Sequence, residues 1–378
     1  MPNYFMGQDG FVWFIGVVED RNDPSKLGRV KVRCLGFHTE DKDEIPTETL
    51  PWAHVMHPVT DPSMQGMGST PSFLVEGSWV VGFFRDADEK QQPIIMGSLP
   101  GYPQEVSNTN IGFNDPKGKY PQKENIQSGH ALNESDVNRL ARNDTDQAHA
   151  IVKTKDDART TGVPIANTTD DTTDSTNEEW TEQASTYAAV YPKNHVYETE
   201  SGHIKEFDDT EGAERIHEYH KSGTFYEIDA SGNKHTRIVG TNYEVIAGSD
   251  FVNVKGTANL TIDSNCNTYI KGNWNIQVDG TKTEVVTGAV TETYKDTKTE
   301  TVTGDVKETY SATFDQDVTG NITIDVTGTD STINLQTGTK GAARLDDTAI
   351  GTDPSHINHG DQITSTINSS SSTVIIGD

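Results

Sequence analysis

Val278-Asp279-Gly280-Thr281-Lys282-Thr283-Glu284-Val285-Val286-Thr287-Gly288-Ala289-Val290-Thr291-Glu292-Thr293-Tyr294-Lys295-Asp296 is the stretch that decides the fold. Glycine recurs in it after eight residues, and an apolar side chain stands two positions before each mark. Followed outward, the register holds glycine at 232, 240, 248, 256, 272, 280, 288, 304, 320 and 328. Ser264, Asp296 and Ala312, small or turn-compatible, fill the skipped marks. The apolar row runs Ile238, Ile246, Val254, Ile262, Ile270, Val278, Val286, Tyr294, Val302, Tyr310, Val318 and Val326. A fixed period sustained over this length is the signature of a repeat architecture.

Eight residues are too few for one full coil of a single-chain β-helix. They suit one short strand and one sharp turn, where glycine supplies the positive φ that other residues resist. Such a chain either coils alone or interleaves with two copies of itself. Strands rich in Thr, Val and Ile but poor in apolar residues overall favour three chains around one core. The resulting prism would be on the order of 60 Å long.

The composition agrees with a thin shaft. Only 32% of the 378 residues are hydrophobic and the mean hydropathy is -0.65, too little for one large core but enough for a narrow apolar stripe. Disorder, the other reading of such a composition, conflicts with the strict period. The net charge of -28 repels phosphate backbones, so no nucleic-acid partner is expected. Cys34 and Cys266 form no metal or redox motif. The N-terminus shows no basic stretch followed by an apolar one, and no run reaches transmembrane length. Synthesis in the cytoplasm without an ordinary export signal is the expectation.

Ahead of the repeat, residues 1–101 read as a small globular domain. Phe11 to Val18 is an apolar strand, Gly28 to Leu35 alternates with period two, and Asn22-Asp23-Pro24 marks the turn between them. Trp52 to Met56, Ser78 to Phe84 and Pro93 to Gly97 supply further strands, which fits a closed barrel of the OB type. Trp13, Trp52 and Trp79 are expected in its core or at a subunit seam. Residues 102–187 are a polar linker, with Asp170 to Thr176 of low complexity and a short helix around Asp136 to Arg142 that Ser135 would cap. The shaft is assigned to 188–340 and a tip to 341–378.

The chain resembles the baseplate hub and tail lysozyme of contractile-tailed phages, relatives of the VgrG spike of type VI secretion. The motifs that carry this are Val17 to Pro24 with Leu27 to Arg33, Gly112 to Pro121 with Asn138 to Arg142, and Tyr191 to His203 with Glu206 to Asp209. They are similar to the family's OB domain, post-barrel linker and β-helix start. The resemblance implies a trimeric spike of the virion tail baseplate, made in the host cytoplasm and driven through the host outer membrane, with baseplate hub and tail tube proteins as partners. The implied fold is all-β: an N-terminal OB barrel, an intertwined trimeric triple-stranded β-helix and a small tip.

One departure bears on chemistry. Lysozyme-bearing members carry a muramidase domain between linker and β-helix, whereas here only about fifty polar residues separate Arg142 from Tyr191. A glycosidase needs two carboxylates in a rigid cleft, one of them with a raised pKa. The acidic residues of this stretch, Glu178 and Glu179 among them, are scattered through polar linker. No catalytic residue is assigned, and the chain is expected to be no enzyme. His195, His203, His217, His220 and His235 have no triad partner at a recognisable spacing. No phosphate loop and no His-Glu-x-x-His motif appears.

The C-terminus leaves the octad register. Ala342 to Gly351, His356-Ile357-Asn358-His359-Gly360 and Ser372 to Gly377 are similar to a shortened PAAR-type tip. Two histidines in a polar turn read, by themselves, as exposed side chains. In a trimer, His356 and His359 each recur three times about one axis, a donor set suited to iron or zinc. Two other functions remain open at this stage: a VgrG-like secretion spike, and a β-helical polysaccharide depolymerase. The latter needs wide coils and a carboxylate groove.

Overall fold

The structure, a computed structural model, describes residues 11–101, 108–114, 116–117, 135–144, 159–166, 178–327, 348–352 and 362–366. It divides into two units, residues 1–284 and 285–378. Nearly every regular element is a strand; among the described residues the one α-helix is α1, Arg139–Arg142.

The first five strands close a barrel in the order β1-β2-β3-β5-β4: β1 (Trp13–Asp20), β2 (Val30–Cys34), β3 (Trp52–Val55), β4 (Trp79–Phe84) and β5 (Pro93–Ser98). The pairings are antiparallel except for β3 with β5, which is parallel. These are the strands expected from the alternation in sequence. Phe14, Val18, Val30, Val32, Cys34, Ala53, Val80, Phe84 and Ile95 fill the interior. The tryptophans do not: Trp13 is 57% and Trp79 39% exposed, and Trp52 is half-buried on the outer surface.

A second, polar layer lies outside β1 and β2. Arg33 is fully buried and donates from Nε to Glu19 Oε1 (2.6 Å), from Nη1 to Thr39 O (2.7 Å) and from Nη2 to Ile45 O (2.7 Å). Thr47 Oγ1 donates to the other oxygen of Glu19 at 2.7 Å. One ion pair thus clamps the long β2–β3 connection onto the barrel wall.

The second compact body is a five-stranded antiparallel meander: β8 (Asn194–Glu198), β9 (Ile204–Asp208), β10 (Arg215–Tyr219), β11 (Phe225–Ile228) and β12 (Lys234–Arg237). Between barrel and meander, β6 (Val163–Pro164) pairs with β7 (Glu179–Trp180). Two pieces of the expected linker complete the meander's core. Leu140 of α1, Tyr187 and Ala189 pack on Ile204, Tyr219 and Phe225, and Tyr187 Oη donates to Leu140 O at 2.7 Å. The cap of α1 is Asn138, whose side chain accepts from Leu140 N; Ser135 Oγ instead accepts from Val137 N. Arg21 joins meander to barrel, donating to both oxygens of Glu200 at 2.7 and 2.8 Å and lying 3.3 Å from buried Glu76. In the second unit, β13 (Thr348–Thr352) pairs with β14 (Gln362–Thr366).

Two barrel glycines separate packing from conformation. A Cβ on Gly82 would collide with Ile94 O and with Phe14 Cζ, whereas one on Gly97 meets nothing within 4 Å. Gly82→Ala is expected to cost the barrel about 2–3 kcal/mol and Gly97→Ala less than about 0.5 kcal/mol. Urea denaturation followed by tryptophan fluorescence distinguishes them, and equal losses would mean the strands yield freely at Gly82.

Candidate functional site

The octad register appears in the backbone as a bend at each mark. In the first unit the bends fall at 239–240, 247–248, 255–256, 263–264, 271–272 and 279–280. In the second they fall at 287–288, 295–296, 303–304, 311–312 and 319–320. Residues 194–237 belong to the meander, so the bends begin later than residue 188. Between bends the chain forms neither helix nor strand and makes no ladder with itself among the described residues.

One detail of the sequence reading is overturned. Gly232 has a positive φ, but Gly240, Gly248, Gly256, Gly272, Gly280, Gly288, Gly304 and Gly320 do not. Ser264, Asp296 and Ala312 bend at the same marks. The bend therefore uses ordinary backbone conformations, and left-handed φ is not what the period selects.

The apolar row is less exposed than most other large apolar side chains of this region. Ile238, Ile246, Val254, Ile262, Ile270, Val278, Val286, Tyr294, Val302, Tyr310, Val318 and Val326 span 40–56% exposure, while Phe251, Leu260 and Tyr269 reach 85–91%. Alternate residues of an extended strand share a face. In the second unit that face carries Val290-Glu292-Tyr294, Lys298-Glu300-Val302 and Val306-Glu308-Tyr310 in turn. Tyr294 Oη donates to Glu292 (3.2 Å) and Tyr310 Oη to Glu308 (3.1 Å). Sequence reading found the row two before each mark; the glutamate column beside it is equally periodic and was overlooked.

The histidines separate by environment. His217 is buried, its Nδ1 2.9 Å from Glu206 Oε2. His235 Nε2 lies 3.1 Å from Glu182. His203 and His220 stack with ring centroids 4.5 Å apart, and His195 is exposed, 3.8 Å from Asp209. His356 and His359 lie outside the described residues, so the structure says nothing of the expected metal at the tip.

The meander buries a charged network that the sequence reading did not anticipate. Arg215 Nη2 donates to Glu206 Oε1 (2.7 Å) and Nη1 to Glu227 Oε2 (2.9 Å). Asn194 Nδ2 donates to Glu206 (2.9 Å), while Ser185 Oγ (2.7 Å) and Thr186 N (3.0 Å) donate to Glu227. The Arg215 guanidinium also lies 5.0 Å over the Tyr187 ring. Burial pushes the Glu206 carboxyl upward, but the His217 hydrogen bond and the charges of Arg215 and His217 outweigh it and hold Glu206 below its ordinary value. Both oxygens of Glu206 are thus occupied, and its side chain is wholly inaccessible. The arrangement orders a sheet and leaves no carboxylate poised for proton transfer.

Because the folded-state pKa of Glu206 is lowered, its ionised form adds stability above the unfolded carboxylate range. That contribution disappears as pH falls through the folded pKa. The meander is expected to weaken progressively below about pH 4.5. Glu206→Gln should cost about 3 kcal/mol at neutral pH and flatten this acid limb. Denaturation curves across pH test both, and an acid slope unchanged in the variant would remove Glu206 from the explanation.

Comparison with known proteins adds sequence relationships to this geometry. The family model described as the Gp5 N-terminal OB domain matches residues 36–185. Protein Gp5 of Vibrio phage KVP40 is 42% identical over 291 residues, covering 70% of this chain and 66% of that protein. The pre-baseplate central spike protein Gp5 of Enterobacteria phage T4 is 45% identical over 116 residues, covering 29% of this chain and 20% of that protein. The chain therefore spans just under two thirds of the one relative and a fifth of the other. The chain is thus similar in sequence to the Gp5 proteins of two phages, one of them named a pre-baseplate central spike protein, and its residues 36–185 match the Gp5 N-terminal OB domain.

Proposed function

We propose that this chain is the central spike of a contractile phage tail, a structural needle that three copies form together. The observation that carries this reading is the octad array. Its runs between bends make no ladder with one another among the described residues, and its apolar row stays about half exposed within one chain. Such backbone needs hydrogen-bond partners, and a continuous apolar row needs a core to enter. Two further copies wound around the same axis supply both at once, in a triple-stranded β-helix with every strand edge paired. The OB barrel is the collar, residues 1–101, seated on baseplate hub and tail tube proteins; a linker covers 102–187, the meander of 194–237 follows it, the octad shaft runs from 239 to 340 and the tip is 341–378. Sheath contraction loads the shaft along its length and drives it through the host outer membrane. The work is mechanical, and the chain carries no muralytic activity of its own.

The name of the T4 relative supports the spike role, and the match to the Vibrio phage Gp5, extending over 70% of this chain, carries the Gp5 likeness beyond the barrel. At the tip, His356 and His359 from three chains offer six imidazoles, a donor set for iron or zinc that would fasten an apex with little core.

Light scattering after size exclusion should give a mass near three times the 41.4 kDa chain, with an elongated profile. Val302→Asp would place three carboxylates at one level of the shared core and is expected to yield monomers or unfolded shaft. A monomeric wild-type chain would end the shared-shaft reading. Elemental analysis of the purified trimer should find iron or zinc that the double variant His356→Ala/His359→Ala lacks; a metal-free wild-type tip would refute that assignment.

A further inference from the structure

We propose that the outer face of the OB barrel holds a receptor site for a carboxylate-bearing peptide, an acidic loop or terminus of a protein partner, built from Arg29, Trp52, His54 and Arg85. The site stands apart from the spike reading and would hold whether or not the chain forms a shaft.

These residues line a depression of about 310 Å³, floored by Pro51, Pro93 and Ile94 and edged by Gln91 and Gln92. It lies where OB barrels generally take ligands, across strands two and three and the loop joining strands four and five. Arg29 precedes β2, Trp52 and His54 stand on β3, and Arg85 to Gln92 connect β4 to β5.

The side chains lining the depression include no carboxylate. Of the acids beside it, Asp23 pairs with Arg29 and Asp86 is spent on backbone donors, so the free charge of the lining is that of Arg85; Asp88 and Glu89 of the same connection are exposed. Asp23 is buried and accepts from Ser25 N (2.9 Å), Leu27 N (3.0 Å) and the Arg29 guanidinium (2.7 and 2.9 Å). Asp86 is buried and accepts from Gln91 N (2.7 Å) and Gln92 N (3.2 Å). Arg85 is exposed, and its guanidinium is held at one edge by Gln92 Oε1 (2.8 Å from Nε), a neutral acceptor that fixes its direction without cancelling its charge. Among the described residues no carboxylate pairs with Arg85. A guanidinium fixed at one edge is prepared to take a carboxylate on the other, because little side-chain entropy remains to be lost.

The same features disfavour a nucleic acid. Single-stranded ligands bind OB folds by stacking successive bases on aromatic rings. Trp52 is the lone aromatic lining this depression, and Arg29 and Lys31 already lie 5.7 and 5.0 Å from its ring centroid. A phosphate backbone running out of the depression would meet a chain of net charge -28. A peptide with one or two carboxylates keeps its charge inside.

The test uses the full-length chain and the N-terminally fluorescein-labelled, C-terminally amidated peptide Gly-Gly-Ser-Gly-Glu-Glu, with its Gln-Gln counterpart and oligothymidylate of similar length as comparators, read by fluorescence anisotropy. Saturable binding of the Glu-Glu peptide is expected, weakened about tenfold by Arg85→Gln and further by high salt. His54→Gln, a second substitution away from the Asp23 clamp, should weaken it in the same direction. Both variants should keep the wild-type melting temperature, so lost binding is not lost fold. Equal affinity for the Glu-Glu and Gln-Gln peptides, or binding unmoved by Arg85→Gln, would overturn the site. Tighter binding of oligothymidylate would overturn the class of partner.

Discussion

A buried guanidinium gripping carboxylates is the interaction on which both compact bodies depend. Arg33 ties Glu19 and two loop carbonyls to the barrel wall. Arg215 ties Glu206 to Glu227 across three strands of the meander. Neither body could do the same work with apolar contacts alone, because each is small: nine buried hydrophobic residues in the barrel cluster and six in the meander cluster. A buried ion pair adds little net stability over well-packed hydrophobic residues, since desolvation offsets most of its Coulomb energy. What it adds is selectivity. A rigid fork of donors meets its acceptors in one arrangement, although Arg215 Nε has none, and every alternative register strands a charge in the interior.

That selectivity matters most where the chain offers little else to set register. The meander is joined by short turns, and a one-residue slip would exchange its two faces. With Glu206, Arg215, His217 and Glu227 inward, a slip would bury Phe207 and Ile216 but tear apart four hydrogen-bonded charges. The covering pieces depend on the same network, since Ser185 and Thr186 dock on Glu227 and Asn194 links Glu206 to the carbonyl of Leu140. Arg21 then fixes the meander to the barrel through Glu200 and Glu76.

How much could be read from sequence follows from the same chemistry. The barrel strands were legible because their inward residues are apolar: Phe14, Val30, Val32 and Val80 announce period two. The turn at Asn22-Asp23-Pro24 was legible too, though not that Asp23 would gather side-chain and backbone donors from three residues, Ser25, Leu27 and Arg29. The meander was not legible as a sheet because its pattern is inverted. Glu206 and Arg215 are buried, whereas Phe207 and Ile216 beside them are each 39% exposed. A hydrophobic-period reading therefore sees the wrong face, and only the partner list reveals the right one. The parts of the linker that cover it, Leu140 and Tyr187, were hidden for a related reason: single apolar residues in polar surroundings carry no period. The octad register needed no partner list, since twelve apolar residues in fixed phase survive any local irregularity.

The glycines of that register remain informative after their φ angles proved ordinary. If conformation were selected at the marks, Ser264, Asp296 and Ala312 would strain the backbone, yet they bend as the glycines do. Ala312 and Ser264 are, like glycine, small, and Asp296 is the one larger residue at a mark, which points to size as the property selected at most of them. Within this chain size is unconstrained, because a Cβ on any of the glycines from Gly240 to Gly320 meets nothing within 4 Å. A restriction on size that no neighbour in the chain imposes is what another chain, passing close to each bend, would impose. On the proposed trimer, the spacing of the glycines and the half-exposed apolar row would have one cause: surfaces shaped for copies of the same strand.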